Sequence, residues 1–105
     1  MYKTVMTNEL EQLMKKNDLK IIDVREKDEL EEGHIKGVIH MPISSFVKNM
    51  HKINKDDHYY VICRTGNRSG EVCQVLSKIG YKVTNVLGGM SIYNGDIEYN
   101  MDDLK

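Results

Sequence analysis

A chain of 105 residues with a 40% hydrophobic fraction is sized for one domain that closes its core without a metal or disulfide staple. A formal net charge of -1 supplies no broad basic face for nucleic acid or an anionic membrane, and no run is long and apolar enough to span a bilayer. The opening stretch Met1-Tyr2-Lys3-Thr4-Val5-Met6 lacks the apolar core of a signal peptide, so a cytoplasmic location is expected.

In chain order, residues 3–6 suit a short strand. Thr7 or Asn8 then caps a helix whose apolar positions Leu10, Leu13 and Met14 fall at helical spacing, and Asn17-Asp18 ends it. Residues 20–24 read as a buried strand, because Ile21, Ile22 and Val24 form a nearly continuous β-branched run. A short acidic helix over 26–32 follows, stopped by Gly33, and its carboxylates are expected to form a solvated face. Residues 37–40 form a third strand closed by Pro42. Ser44 or Ser45 caps a helix carrying Phe46, Val47 and Met50, and 54–57 is a polar turn. Strand 59–62 comes next, then a polar loop, a helix over 69–79 with Ser69 as its N-cap, and a last strand over 82–87. Gly88-Gly89 turns into a short helix over 90–93, and 94–105 is a polar tail expected to be loosely held. Short apolar strands alternating with helices predict a single α/β domain over 1–105, an open, mainly parallel sheet with helices on both faces. Ligands of such sheets bind at the C-terminal ends of the strands.

Cys63 falls at that edge. It ends the apolar run Tyr59-Tyr60-Val61-Ile62 and begins the loop Arg64-Thr65-Gly66-Asn67-Arg68-Ser69. Backbone N–H groups of the loop and of the following helix form an anion-binding geometry, and Arg64 and Arg68 add positive charge. A cysteine there is expected to have a depressed pKa and to act as a nucleophile. Gly66 lets the loop curl with positive φ. Cys73 lies inside the next helix between Val72 and Gln74, where packing is the expected role. The two cysteines and the four histidines, His34, His40, His51 and His58, lack zinc-site spacing, so no metal is expected.

Four segments resemble the rhodanese-type sulfurtransferases. The cysteine loop is similar to that family's active-site loop. Ile21-Ile22-Asp23-Val24-Arg25-Glu26 is similar to its DVR strand, the segment from Glu32 to Pro42 to its GHIxGAxxxP stretch, and Val86-Leu87-Gly88-Gly89-Met90 to its closing LxGG turn. They occur in the family's order and span most of the chain. The resemblance implies a rhodanese-like fold and a sulfurtransferase in which Cys63 carries sulfur as a persulfide, with no other cofactor. It places donor binding on Arg64, Thr65, Gly66, Asn67, Arg68 and Ser69. It implies packing and hydrogen bonding for His34, and Tyr93 stands where the family often has tryptophan.

Asp23 and Arg25, at a strand's C-terminal end, are expected to form an ion pair bracing the active edge. The expected partners are a small sulfur donor such as thiosulfate, a polysulfide or a persulfide, and a thiol or cyanide acceptor, with a protein donor or acceptor also open. A partner-dependent sulfur carrier or regulatory module is the alternative, since the same loop serves both. Cysteine phosphatases and arsenate reductases place five residues between cysteine and arginine. Here four, Arg64 to Asn67, separate Cys63 from Arg68, and the loop holds no general acid for a phosphate leaving group.

Overall fold

The computed structural model describes residues 1–105. Five parallel strands form one sheet: β1 (Lys3–Met6), β2 (Ile21–Asp23), β3 (Ile39–His40), β4 (His58–Ile62) and β5 (Lys82–Leu87), in the order β1-β5-β4-β2-β3. Three helices connect them: α1 (Thr7–Lys16), α2 (Lys27–Glu31) and α3 (Asn67–Lys78). The open parallel sheet expected from the sequence is the one observed. Its central strand is β4, hydrogen-bonded to β5 on one side and β2 on the other, so the residue leaving β4 emerges at the middle of the sheet's C-terminal edge.

Alternation along the strands sorts the core into two layers. Ile22, Tyr59, Val61 and Cys63 pack with Val72, Cys73 and Leu76 of α3 on one face. Ile21, Ile62 and Val86 pack with Leu10 of α1 and Leu30 of α2 on the other. The β-branched run at 21–24 therefore faces protein on both sides, which is why it shows no polar alternation. Burying a side chain such as Leu10, Leu30 or Leu76 completely, as here, stabilises the fold by roughly 1.5–3 kcal/mol each.

Local structure departs from the sequence reading at several points: α1 is capped by Met6 rather than by Thr7 or Asn8, and the short helix after Gly88 is a 3₁₀ segment, Gly89–Ile92. The expected helix after Pro42 is two 3₁₀ segments, Ile43–Ser45 and Val47–Lys52. Ser69 does not cap α3: the cap is Gly66, and Ser69 lies in the first turn with its side chain buried. The tail is held rather than loose. Residue 98 pairs with His34, Asp103 accepts hydrogen bonds from the His34 ring and the Gly37 N–H, the backbone of Lys105 bonds to Val38 and His40, and Met101 and Leu104 pack against the α1–α2 layer. The tail's polar composition hid this, because only two of its apolar residues face inward and the remaining ties are polar. His34 itself is fully buried, its Nδ1 bonded to the Leu30 carbonyl at the end of α2. It thus joins α2, the loop before β3 and the tail.

Candidate active site

The cysteine loop is shaped from outside by the turn after β5. The N–H groups of Gly88, Met90 and Ser91 donate to the carbonyls of Thr65, Cys63 and Arg64, each at 2.8 Å. With the loop carbonyls drawn outward, its amides are free to turn inward. The turn can approach this closely because Gly89, at φ 53°, has no side chain: a Cβ there would run into the carbonyls of Cys63 and Arg64. Gly66, at φ 111°, reverses the chain into α3, and a Cβ on it would lie 3.0 Å from Leu87 Cα.

Cys63 sits on the floor of this cradle with only 1% of its surface exposed. The Gly66 and Ser69 N–H groups donate to its Sγ at 3.1 and 3.4 Å, and Ser69 Oγ lies 3.3 Å away. The helix dipole of α3 adds to these donors, because Ser69 is in its first turn. Burial works to raise the thiol pKa, but the Ser69 hydroxyl and the N–H groups of Ser69, Gly66 and Thr65 outweigh it and hold the thiol below its ordinary value. Cys73 meets the opposite fate. It is fully buried in the α3 layer, and burial, reinforced by the nearby Cys63, pushes its thiol up to about 12.

Asn85 completes the cradle from β5. Its Nδ2 donates to the Gly66 carbonyl at 3.1 Å, and its Oδ1 accepts the Ser69 hydroxyl proton at 2.6 Å. A serine has one hydroxyl proton. While that proton points to Asn85 Oδ1, Ser69 can only accept from a Cys63 thiol. Once the thiol ionises, the proton can turn to sulfur. Asn85 was not among the residues singled out in the sequence. Its signal was an amide in the middle of an otherwise apolar strand, where a buried polar group requires partners.

The two loop arginines converge on one carboxylate. Glu29 of α2 takes Arg68 in a bidentate pair, with Nη1 to Oε1 and Nη2 to Oε2 both at 2.8 Å. Arg64 Nη2 reaches Glu29 Oε2 at 3.3 Å and lies 3.9 Å from Glu32. Arg68, joined by the Glu26 backbone N–H and by Arg64, outweighs partial burial and draws the Glu29 carboxyl down to about 2, and the Arg68 pKa is raised in return. This corrects the reading of α2 as a purely solvated acidic face: Glu29 is 14% exposed and turned into the site, whereas Glu32 is 73% exposed. Sequence periodicity over a five-residue helix cannot separate those two carboxylates.

Asp23 and Arg25 do pair, at 2.9 Å, and both are buried. Arg25 further donates to the Gly33 carbonyl at 2.9 Å, and His40 Nε2 lies 2.8 Å from the Arg25 carbonyl. The pair thereby ties the end of β2 to the close of α2 and to β3. Thr65 and Asn67 lie exposed on the rim of the loop, and Arg64 is more than half exposed. No three His, Cys, Asp or Glu side chains converge as a ligand set for a metal ion. No helix is long and apolar enough to cross a membrane.

Residues 6–96 match the family described as the rhodanese-like domain. The putative sulfur carrier protein YrkF of Bacillus subtilis is 41% identical over 81 residues, 76% of this chain and 44% of that protein, so the shared segment is less than half of the relative. The putative sulfurtransferase YtwF of the same organism is 40% identical over 79 residues, 75% of this chain and 77% of the relative. Among solved structures, a rhodanese-like domain protein from Staphylococcus aureus superposes with a TM-score of 0.87 at 30% identity, covering 93% of this chain and 98% of that one.

Proposed function

This chain belongs to the rhodanese-like domain family, whose relatives include proteins named sulfurtransferases and sulfur carriers, and we propose that it moves sulfane sulfur from a donor to a nucleophilic acceptor through a persulfide on Cys63. The observation that carries this reading is the set of backbone amides aimed at Cys63 Sγ, which stabilises an anionic sulfur without needing a general base. In the first half-reaction the Cys63 thiolate attacks the outer sulfur of the donor. The donor's S–S bond breaks and its electron pair leaves with sulfite, if the donor is thiosulfate, or with a thiolate, if it is a persulfide. In the second, cyanide or an acceptor thiolate attacks the outer sulfur of the persulfide and returns Cys63 to the thiolate. The amides that hold the thiolate also suit the persulfide anion one atom further out.

Arg68 shapes the cradle from the first turn of α3, and Arg64, Thr65, Gly66, Asn67 and Ser69 line the path by which a donor arrives. The Asp23–Arg25 pair braces the edge from β2. A carrier of this kind works where thiols are kept reduced, which favours the cytoplasm, and carries no group but the sulfur on Cys63. Its partners are a small sulfur donor and a thiol or cyanide acceptor. A second version, in which a protein hands over or receives the sulfur, is supported by the similarity to the relative named a putative sulfur carrier.

Steady-state transfer with donor and acceptor both varied tests the reading. Parallel double-reciprocal lines and no turnover in Cys63→Ser are expected; intersecting lines, or turnover retained in Cys63→Ser, would contradict a covalent sulfur intermediate. Arg68→Ala should weaken turnover by altering both loop shape and charge, and unchanged kinetics would remove that role.

A further inference from the structure

Two cations stand at the mouth of the cysteine loop, and both are already engaged. Arg68 is held end-on by Glu29 through two 2.8 Å bonds, and Arg64 shares the same carboxylate. The third guanidinium nearby, Arg25, is saturated by Asp23 and by backbone carbonyls. With Cys63 as thiolate, two arginines face one thiolate and Glu29, so their charges cancel, and the exposed Glu32 beside Arg64 tips the rim negative. The small cavity next to the loop repeats the pattern. Of about 190 Å³, it sets Arg64 and Glu32, with Arg25 already paired to Asp23, among Met90, Ile97 and Tyr99. Such a mouth offers directed N–H groups but no surplus of positive charge.

We propose that Glu29 is a specificity-determining residue: by neutralising Arg64 and Arg68 it turns the loop away from dianionic donors and toward organic hydropersulfides, whose electrophilic form, RSSH, is uncharged at the transferring sulfur. The proposal deepens the sulfur-transfer reading above and rests on it for its donor class. The thiolate attacks the outer sulfur of RSSH, the S–S bond breaks, and RS⁻ leaves with the electron pair, giving Cys63–SSH, which ionises within the amide cradle. A thiosulfate dianion must instead bring two negative charges up to a thiolate whose counter-cations are committed elsewhere.

The charge balance can be read without any sulfur chemistry. Alkylation of Cys63 by iodoacetate, an anion, and by iodoacetamide, a neutral reagent of similar size, is followed in wild type and Glu29→Gln at low ionic strength. The iodoacetate-to-iodoacetamide rate ratio should rise about five- to tenfold in Glu29→Gln, and the rise should shrink in about 1 M salt. Should Glu29→Gln fail to fold, Arg64→Gln, at a largely exposed position, should move the ratio down instead. A ratio unmoved in these variants, or a Cys63 that neither reagent reaches, overturns the proposal. The donor arm compares kcat/KM for thiosulfate and for a hydropersulfide on an uncharged organic group, referred to its RSSH form. The thiosulfate share should rise in Glu29→Gln; an equal fall for both donors would mean that Glu29 only positions Arg68 and would overturn the donor assignment. If the alkylation ratio moves but wild type takes sulfur from neither donor, the sulfur-transfer reading fails, and the donor class with it, while the charge cancellation itself stands.

Discussion

Cys63 and Cys73 are both buried, both packed in the α3 layer, and ten positions apart in the chain, yet their thiols are pushed in opposite directions. Cys73 has apolar neighbours and no donor aimed at it, so burial simply disfavours its charged form. Cys63 is buried among backbone N–H groups that were put there for other reasons: the glycine reversal at Gly66, the first turn of α3, and the Gly88–Gly89 turn that draws the loop carbonyls outward. Burial therefore says little about reactivity by itself. What the burying atoms are decides it, and at Cys63 they are dipoles fixed by the fold before any substrate arrives.

The contrast can be broken most strongly at Cys63. Replacing it by serine should abolish sulfur loading and leave the melting transition nearly unmoved, since the cradle still finds a polar atom to bond. Cys73→Ser should do the reverse. It places a hydroxyl in an apolar layer and should cost about 1–3 kcal/mol in denaturant unfolding, while transfer stays within about twofold of wild type. Equal loss of transfer in the two variants would sink the packing assignment of Cys73.

A subtler substitution weakens the cradle while keeping the cysteine. Asn85→Ala strips the partner from the Ser69 hydroxyl and the Gly66 carbonyl. It should lower stability by about 1–3 kcal/mol and slow Cys63 alkylation at neutral pH by roughly tenfold, with the pH profile of alkylation displaced to higher pH. An unshifted profile would mean that the loop holds its shape without β5.

Titration sharpens the same comparison. Cys73 has its folded pKa raised from 9.0 to about 12, so the unfolded chain loses that proton first as pH rises. Stability should therefore fall by roughly 1 kcal/mol per pH unit between about pH 9 and 12, a loss absent in Cys73→Ala. Glu29 works at the acid end. Its carboxyl is lowered from 4.5 to about 2, so its contribution is complete above about pH 4.5 and disappears as pH falls toward 2. Glu29→Gln should flatten that part of the acid unfolding curve, a smaller change than the alkaline one because the Arg68 pair is partly open to water.

The sheet, its parallel sense and the position of Cys63 at its C-terminal edge were legible because they follow from local patterns: β-branched runs, helical spacing and a polar loop directly after a strand. The same holds for the buried Asp23–Arg25 pair, two residues apart in the chain. What the sequence concealed depends on contacts between distant segments. Glu29 differs from its acidic neighbours only in facing Arg68, 39 positions on. Asn85 acts through Ser69 and Gly66 on another element, and the tail is bound by Asp103 to His34 across most of the chain. Ser69 has the composition of an N-cap, but Gly66 occupies the reversal that a cap requires, and the serine is thereby freed to face the sulfur.

The most direct measurement is the intact mass of the protein after exposure to thiosulfate and to glutathione hydropersulfide, with peptide mapping to place any gain. A single added sulfur on Cys63, removed by cyanide or a thiol and missing from Cys63→Ser, is the expected result. A fold-intact protein whose Cys63 alkylates readily but gains no sulfur from either donor, or one in which the sulfur maps to Cys73, would contradict the assignment of the cradle to sulfur transfer.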